Sequence, residues 1–439
     1  MNKVDQDCGT TFSWVTRTLG PYAGWIGGWA IFTTGVLVIG SLADVSAYYI
    51  FDLLSLIDLR NDRVAVIVLA VAIVAVMTAI CVIGTELSAK MQRVMALAQV
   101  SALVLFIVVA AIALITDDAT NKSLDPSLSW LNPFAIDEYS GLLTGVLLGV
   151  FIYWGWESAV NLTEESRDSA RAPGLAGIVS TLMLLAVYIG VTITLVGYAG
   201  LDRIERFDDN PGVLGAISED ALGSLSFLVV LSVITSGIAS TQTTILPASR
   251  TSLSMATAGA FPKRFASIHS RFLTPAFGTI VVGLAAVAWY VGASYVSDNF
   301  LFDSLSALSL LIAFYYGLTG IACAIYWRHE LLKSLKNFLF IGVAPLIGSG
   351  MLFYLLFESV RELADPGKSY SGTSFLGVGV PLAIALSFIV GGLILMLLWR
   401  FTGGPKFFER KAFEAVPHEV AIGGGHVEPV GASEDQVPR

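Results

Sequence analysis

Charged residues fall along this 439-residue chain so that ten long stretches contain none: 18–43, 64–85, 94–116, 139–156, 172–201, 221–249, 272–297, 304–327, 337–357 and 369–399. An α-helix rises about 1.5 Å per residue, so crossing the hydrocarbon core of a bilayer takes roughly 20 apolar residues. All ten stretches meet or approach that length. The pattern predicts an all-α integral membrane protein with ten transmembrane helices within residues 1–404. Composition agrees, at 55% hydrophobic and 13% charged, against about a quarter charged in an ordinary soluble domain. Soluble enzymes, disordered chains and secreted disulfide scaffolds are excluded.

Lys and Arg sort unevenly between alternate connections. The set that includes Lys3, Arg17, Lys90, Arg167, Arg250, Arg328 and Arg400 holds 17. The set made by Arg60, Arg63, Lys122, Arg203, Arg206, Arg361 and Lys368 holds 7, leaving aside the distal Arg439. The positive-inside rule then places both termini in the cytoplasm, in a multi-pass protein of the plasma membrane. Met1 to Gly20 lacks an apolar core, so no cleavable signal peptide is expected. Trp25, Trp29, Tyr48, Tyr49, Trp130, Trp327 and Trp399 stand at span ends and suit the headgroup belt.

A net charge of −9 argues against nucleic acid as a partner. The acid lies in connections (Asp117, Asp118, Asp208, Asp209, Glu219, Asp220) and near the C-terminus (Glu428, Glu434, Asp435). Cys8, Cys81 and Cys323 form no CxxC pair and read as small hydrophobes, with no zinc site. Residues 405–439 are polar and Gly/Pro-rich, including Gly423-Gly424-Gly425, and read as a flexible cytoplasmic tail with His418 and His426 solvated. No metal or cofactor is expected.

Candidate chemistry concentrates in the fourth span. Tyr153-Trp154-Gly155-Trp156-Glu157 sets a glycine between two tryptophans and follows it with a carboxylate at membrane depth. Glycine costs about 1 kcal/mol in a helix interior. A buried carboxylate costs several kcal/mol unless it meets a cavity or a partner. One reading is that the helix unwinds around Gly155, freeing carbonyls for a cationic group and amides of a second half-helix for an anion. The other is a continuous helix with Gly155 as a packing notch and Glu157 paired to a neighbour.

Asp44 sits late in the first span, at the outer interface or facing a cavity. The sixth span carries Thr235, Ser236, Ser240, Thr241, Gln242, Thr243 and Thr244, hydroxyls and an amide that bind Na⁺, line a polar path or bond helix to helix. The eighth adds a weaker stripe of Ser304, Ser306 and Ser309, with Tyr315-Tyr316 below it. HExxH, GxSxG and Walker-type GxxxxGK[ST] motifs are absent. The chain reads as a conduit rather than an enzyme.

The run FIYWGWESAVNLTEESRDSARAPG resembles the sixth helix and exit loop of the amino acid–polyamine–organocation (APC) superfamily of permeases. DCGTTFSWVTRTLGPYAGWIGGW is similar to the stretch joining that family's second and third helices. TQTTILPASRTSLSMATAGAFPKRF and YYGLTGIACAIYWR resemble its eighth and tenth helices. The likeness runs in order from about residue 7 to 400. It implies inverted five-helix repeats and an amino acid site between broken helices, with the ten spans as family helices 3 to 12. An incomplete first repeat would cover about 18–116, the second about 137–327, and peripheral helices about 337–400. The family's first helix, whose amides clamp the substrate carboxylate, has no counterpart in the spans. In some proton-coupled members a lysine of the fifth helix takes the place of a sodium ion; alignment on SAKMQRVMALAQ puts Gln99 there.

The resemblance implies symport or exchange of amino acids by alternating access, with Tyr153, Trp154, Gly155, Trp156 and Glu157 as the substrate site. Ser240, Thr241, Thr243 and Gln99 then mark an ion or polar path for H⁺ or Na⁺. The competing expectation is a truncated, non-transporting membrane protein or a ligand-sensing scaffold. Oligomeric state is left open.

Overall fold

The computed structural model describes residues 1–2, 5–120, 122–132, 139–166, 168–207, 212–296, 299–413, 418–422 and 428–430. Lys3, Arg167, Asp208, Asp209, Gly423-Gly424-Gly425, His426, Glu434, Asp435 and Arg439, named above, lie outside the described residues.

Helices dominate. In chain order they are α1 (Thr11–Leu19), α2 (Pro21–Leu53), α3 (Ile57–Asn61), α4 (Arg63–Ile83), α5 (Thr85–Ile115), α6 (Tyr139–Ile152), α7 (Ser158–Asn161), α8 (Ala172–Ala199) and α9 (Leu201–Glu205). They continue as α10 (Val213–Leu222), α11 (Ser226–Thr257), α12 (Ala276–Val296), α13 (Phe300–Tyr326), α14 (Leu335–Asn337), α15 (Ala344–Leu363), α16 (Val380–Thr402) and α17 (Pro405–Phe408). Among the described residues the short strands are β1 (Ser267–Ile268), β2 (Ser374–Phe375), β3 (Val378–Gly379), β4 (His418–Ile422) and β5 (Glu428–Val430). Among the described residues nine helical stretches are long and apolar enough to cross a membrane. They match nine of the ten uncharged runs. The tenth run, 139–156, holds only the 14-residue α6. The protein is an all-α membrane protein.

The arrangement centres on α2. At 33 residues it rises about 50 Å, more than the ~30 Å hydrocarbon core, so it tilts or projects. Of its most apolar window 83% is buried inside the protein, against 11% for α8 and 17% for α5. The outer helices therefore turn their Leu, Ile and Val side chains to lipid, while α2 is wrapped by α1, α4, α11, α12 and α13. Small residues permit the close approach. A Cβ at Gly40 would overlap the Tyr290 side chain of α12, and one at Gly237 of α11 would overlap Ser46 of α2. The Ser46 hydroxyl lies 3.0 Å from its own Leu42 carbonyl and 3.3 Å from that of Ile234, linking α2 to α11.

Asp44 is held from two neighbouring helices of this core. Arg63 Nη1 of α4 donates to it at 2.5 Å, the Tyr290 hydroxyl of α12 also donates, and Arg63 Nη2 reaches Ser294 Oγ at 3.0 Å. The acid is a joint between α2, α4 and α12. Before α15 the chain widens into a π-helix at Phe338–Val343. Pro345 follows it, lacking an amide and crowding the preceding turn, which accounts for the widening.

Two expectations need correction. Trp25 and Tyr49 do not stand in a headgroup belt: they are 1% and 2% exposed, and Trp25 Nε1 donates to the Ala260 carbonyl at 2.8 Å. The segment from 405 also begins ordered rather than as a free tail. α17 buries Phe407 and Phe408 against Phe12, Trp25, Met255 and Met396. Further on, β4 pairs in parallel with β1, Ser267 opposite Ala421. Two adjacent aromatics supply the apolar area that a periodicity search over polar sequence does not register.

Gly40→Leu tests the central packing. Overfilling this contact should cost at least about 1–3 kcal/mol, seen as a lower midpoint in a detergent thermal-unfolding assay. An unchanged midpoint would show that α2 and α12 are not in close contact there.

Candidate functional site

α6 stops at Ile152, residues 153–157 form turns, and α7 resumes for one turn at Ser158. Gly155 has φ of +110°, a backbone region that side-chain-bearing residues avoid. Space is not the constraint, because a Cβ there would meet nothing nearer than Ser158 Oγ at 4.0 Å. Backbone conformation alone selects glycine.

The interruption is stitched to α13. Glu157 is 3% exposed. Its Oε1 accepts from the Tyr315 hydroxyl at 2.7 Å and its Oε2 from the Tyr316 hydroxyl. Trp154 Nε1 donates to the Tyr315 oxygen, and the Gly155 amide donates to the Tyr316 oxygen at 3.1 Å. Each tyrosine thus accepts from the turn and donates to the carboxylate, closing two parallel relays. Among the described residues, none of the ion pairs includes Glu157. Its two oxygens are met by hydroxyl donors of α13.

Beside this network lies a cavity of about 430 Å³, within the range of about 300–1,000 Å³ typical of small-molecule sites. Trp156 and Val160 of the interrupted segment, Tyr316 and Cys323 of α13, Trp14 of α1 and Leu352 of α15 are among its lining residues. The structure thus brings Trp154, Gly155 and Glu157 into one network and puts Trp156 on the cavity wall. Tyr153 points elsewhere, edge-on to Tyr188 of α8 with ring centroids 5.4 Å apart.

The second half-helix differs from expectation. α7 is four residues long, and the amides of Ser158, Val160 and Asn161 already bond to Gly155 and Glu157 carbonyls at 2.8–3.0 Å. One turn has little dipole, and most of its amides are already bonded, so it makes a poor anion site.

The hydroxyls of the sixth span are largely used within α11. Thr241 Oγ1 donates to the Gly237 carbonyl at 2.8 Å and Thr243 Oγ1 to that of Ala239 at 3.1 Å. The Thr243 carbonyl in turn accepts from Ser158 Oγ at 3.2 Å, joining α11 to the interrupted segment. Ser240 is half-buried next to them. Gln99 of α5 has a buried Nε2 without a hydrogen-bond partner.

Several contacts had no sequence signal. Gln92 Nε2 of α5 bonds Gln242 Oε1 and the Ala239 carbonyl, both at 2.8 Å. Arg250 at the end of α11, 1% exposed, holds Glu165 Oε1 from two nitrogens at 3.0 Å. Asn161 Nδ2 donates to the Cys8 carbonyl at 2.6 Å, and the Cys8 amide to Glu164 at 3.0 Å. Ligand-type atoms of Asp7, Cys8 and Glu164 lie within 4.8 Å of one another, so Cys8 sits among acids rather than in an apolar pocket. Partners this far apart in sequence meet only through the fold.

Comparison with known proteins fits this architecture. The family model described as amino acid permease matches residues 6–374. The chain belongs to the amino acid permease family. It is 24% identical over 399 residues to the branched-chain amino acid permease BcaP of Lactococcus lactis, covering 88% of this chain and 82% of that protein. It is 24% identical over 324 residues to cationic amino acid transporter 3, mitochondrial, of Arabidopsis thaliana, covering 70% of this chain. There the match spans about half of the plant protein, 52% of its length. A shorter match, 26% over 232 residues, is to the low-affinity putrescine importer PlaP of Escherichia coli. The permeases and transporters named are membrane carriers, and the family assignment sets the chain apart from enzymes.

Tyr316→Phe tests the network. Removing one hydroxyl leaves the Gly155 amide and a Glu157 oxygen short of a partner. The expected loss of about 1–3 kcal/mol should lower the unfolding midpoint by more than Tyr326→Phe does. Equal midpoints for the two variants would contradict the relay.

Proposed function

We propose that this permease moves amino acids across the plasma membrane by alternating access, as a symporter or exchanger, with the substrate at residues 153–157. One observation carries the reading: a buried carboxylate, Glu157, hydrogen-bonded by two tyrosine hydroxyls where a helix is interrupted, next to a cavity of about 430 Å³. A substrate ammonium would compete for Glu157 and for carbonyls around Gly155, and Trp156 would stack on the substrate from the cavity side. Loosening the tyrosine relays when a cation arrives couples occupancy to the α6–α13 contact, the differential interaction that alternating access requires.

The Lys/Arg asymmetry supports cytoplasmic termini, with the end of the bundle carrying Arg17, Arg250 and Arg328 facing inward. The repeat division, about 18–116 and 137–327 with peripheral helices at about 337–400, belongs to the same proposal. For coupling, the segment around Ser240, Thr241 and Thr243 is the candidate path for H⁺ or Na⁺, since the Thr243 carbonyl touches the interrupted segment. Gln99 carries no titratable proton, so in a proton-coupled cycle it would position water rather than bear charge.

Purified protein in proteoliposomes should show saturable uptake of labelled amino acid, and Gly155→Leu should reduce it at least about a hundredfold while inserting normally, since near-attack geometry at a site is sensitive to such distortion. Normal uptake by that variant would remove Gly155 from the site. Binding without uptake by the unaltered protein would favour the ligand-sensing scaffold. Glu157→Gln should flatten the dependence of uptake on pH. A profile matching the unaltered protein would take Glu157 out of the coupling step.

A further inference from the structure

We infer that the C-terminal segment is a releasable strap that holds α1 against α13 across the inner mouth of the cavity and so controls access to the site. The inference takes the cavity as the inner path of the site proposed above. Two of its walls are α1, through Trp14, and α13, through Tyr316, Thr319, Gly320 and Cys323. Near the site these walls are joined directly, Thr11 Oγ1 lying 2.7 Å from Thr319 Oγ1. Toward the inner end they are joined by the chain after α17.

Phe413 makes that second joint. Its amide donates to the Arg17 carbonyl of α1 at 2.6 Å. Its ring stacks on Tyr326, the last residue of α13, at 6.5 Å, and Arg328 lies over it at 4.7 Å. Arg17 is three residues beyond Trp14, and Tyr326 is three beyond Cys323, so each contact is about one helical turn past a wall residue. Both contacts of the strap therefore lie beyond the wall residues Trp14 and Cys323, toward the inner ends of α1 and α13.

The segment is anchored firmly on one side of Phe413 and loosely at it. Phe407 is 1% exposed and stacks on Phe12 at 5.8 Å, and Trp399 Nε1 donates to the Gly259 carbonyl at 3.1 Å. Phe413 by contrast is 37% exposed and has φ of +68°. A bulky residue in the left-handed region is strained, and such strain persists only while surrounding contacts hold it. A fixed anchor followed by a strained, half-open contact is a clasp that can let go without unfolding the bundle.

Cys323 reports on the mouth without any transport measurement. In full-length protein in proteoliposomes, alkylation by N-ethylmaleimide is followed by mass spectrometry at Cys323 and at Cys81, which is fully buried. Phe413→Ala should raise the Cys323 rate roughly tenfold with Cys81 unreactive, while Phe413→Tyr, which keeps the ring, should match the unaltered protein. If Phe413→Ala also exposes Cys81, the variant has unfolded. Arg328→Gln then decides, with a smaller increase confined to Cys323 supporting the strap and an unchanged Cys323 rate overturning it. A Cys323 rate unchanged in the folded Ala variant, or raised equally by Phe413→Tyr, overturns it. Because the readout is chemical, a strap that releases in a protein showing no uptake would refute the transport reading and leave the strap standing.

Discussion

A carboxylate placed deep in an apolar bundle has to be given donors by the chain itself, because lipid supplies none. Glu157 draws two side-chain donors from adjacent positions on one helix, Tyr315 and Tyr316. Adjacent helix residues point about 100° apart, so they can meet one carboxylate only if it enters between them. The turn at 153–157 brings it there. The same turn exposes the Trp154 indole and the Gly155 amide, and the tyrosines accept from both. The helix interruption and the burial of Glu157 are therefore one feature. A regular helix would bond the Gly155 amide internally and carry Glu157 along its own surface.

That coupling explains why α6 is short without being unstable. Losing helical hydrogen bonds in a membrane is tolerated where other protein groups replace them. Here the replacements come from α13, from the Thr243 carbonyl of α11 and, beyond α7, from the N-terminal segment through Asn161 and Cys8. The replacements are individual hydrogen bonds shared among three elements, four of them to the adjacent Tyr315 and Tyr316 of α13. The interrupted segment is consequently sensitive to small displacements of any of three neighbours, whereas α2, locked by Gly40 against Tyr290 and by Asp44 against Arg63, is not. The rigid and adaptable parts of the bundle are distinguished by whether close packing or isolated polar contacts hold them.

The membrane class and nine of the spans were legible because hydropathy is a local property and the bilayer imposes a length on it. Gly155 and Glu157 stood out for the same reason: each is locally costly in an apolar helix. Their partners were not legible. Tyr315 and Tyr316 lie more than 150 residues away, and nothing in an apolar span distinguishes a tyrosine that donates to a carboxylate from one that merely packs. The environment of Trp25 is not legible because a tryptophan near a span end suits a headgroup belt and a protein core equally well. The order of 405–413 has no sequence signal, because two consecutive phenylalanines give no helical or strand period.

The half-exposed aromatic contact at Phe413 and the tyrosines that hold Glu157 share one helix. α13 carries Tyr315 and Tyr316 at the site and Tyr326 at its inner end, a separation of about 15 Å along the axis. A helix moves nearly as a rigid rod, so a tilt allowed at Tyr326 has to appear at Tyr315, where hydroxyl hydrogen bonds lengthen by a fraction of that displacement. Hydrogen bonds weaken steeply beyond about 3.2 Å, and displacement of a few tenths of an ångström is enough to alter how well Glu157 is satisfied. The reverse holds as well: anything that takes Glu157 from its tyrosines frees α13 to tilt. Reciprocity of this kind needs no special pathway between the two ends, only one stiff helix with a polar clasp at the middle of the membrane and an aromatic one at its edge.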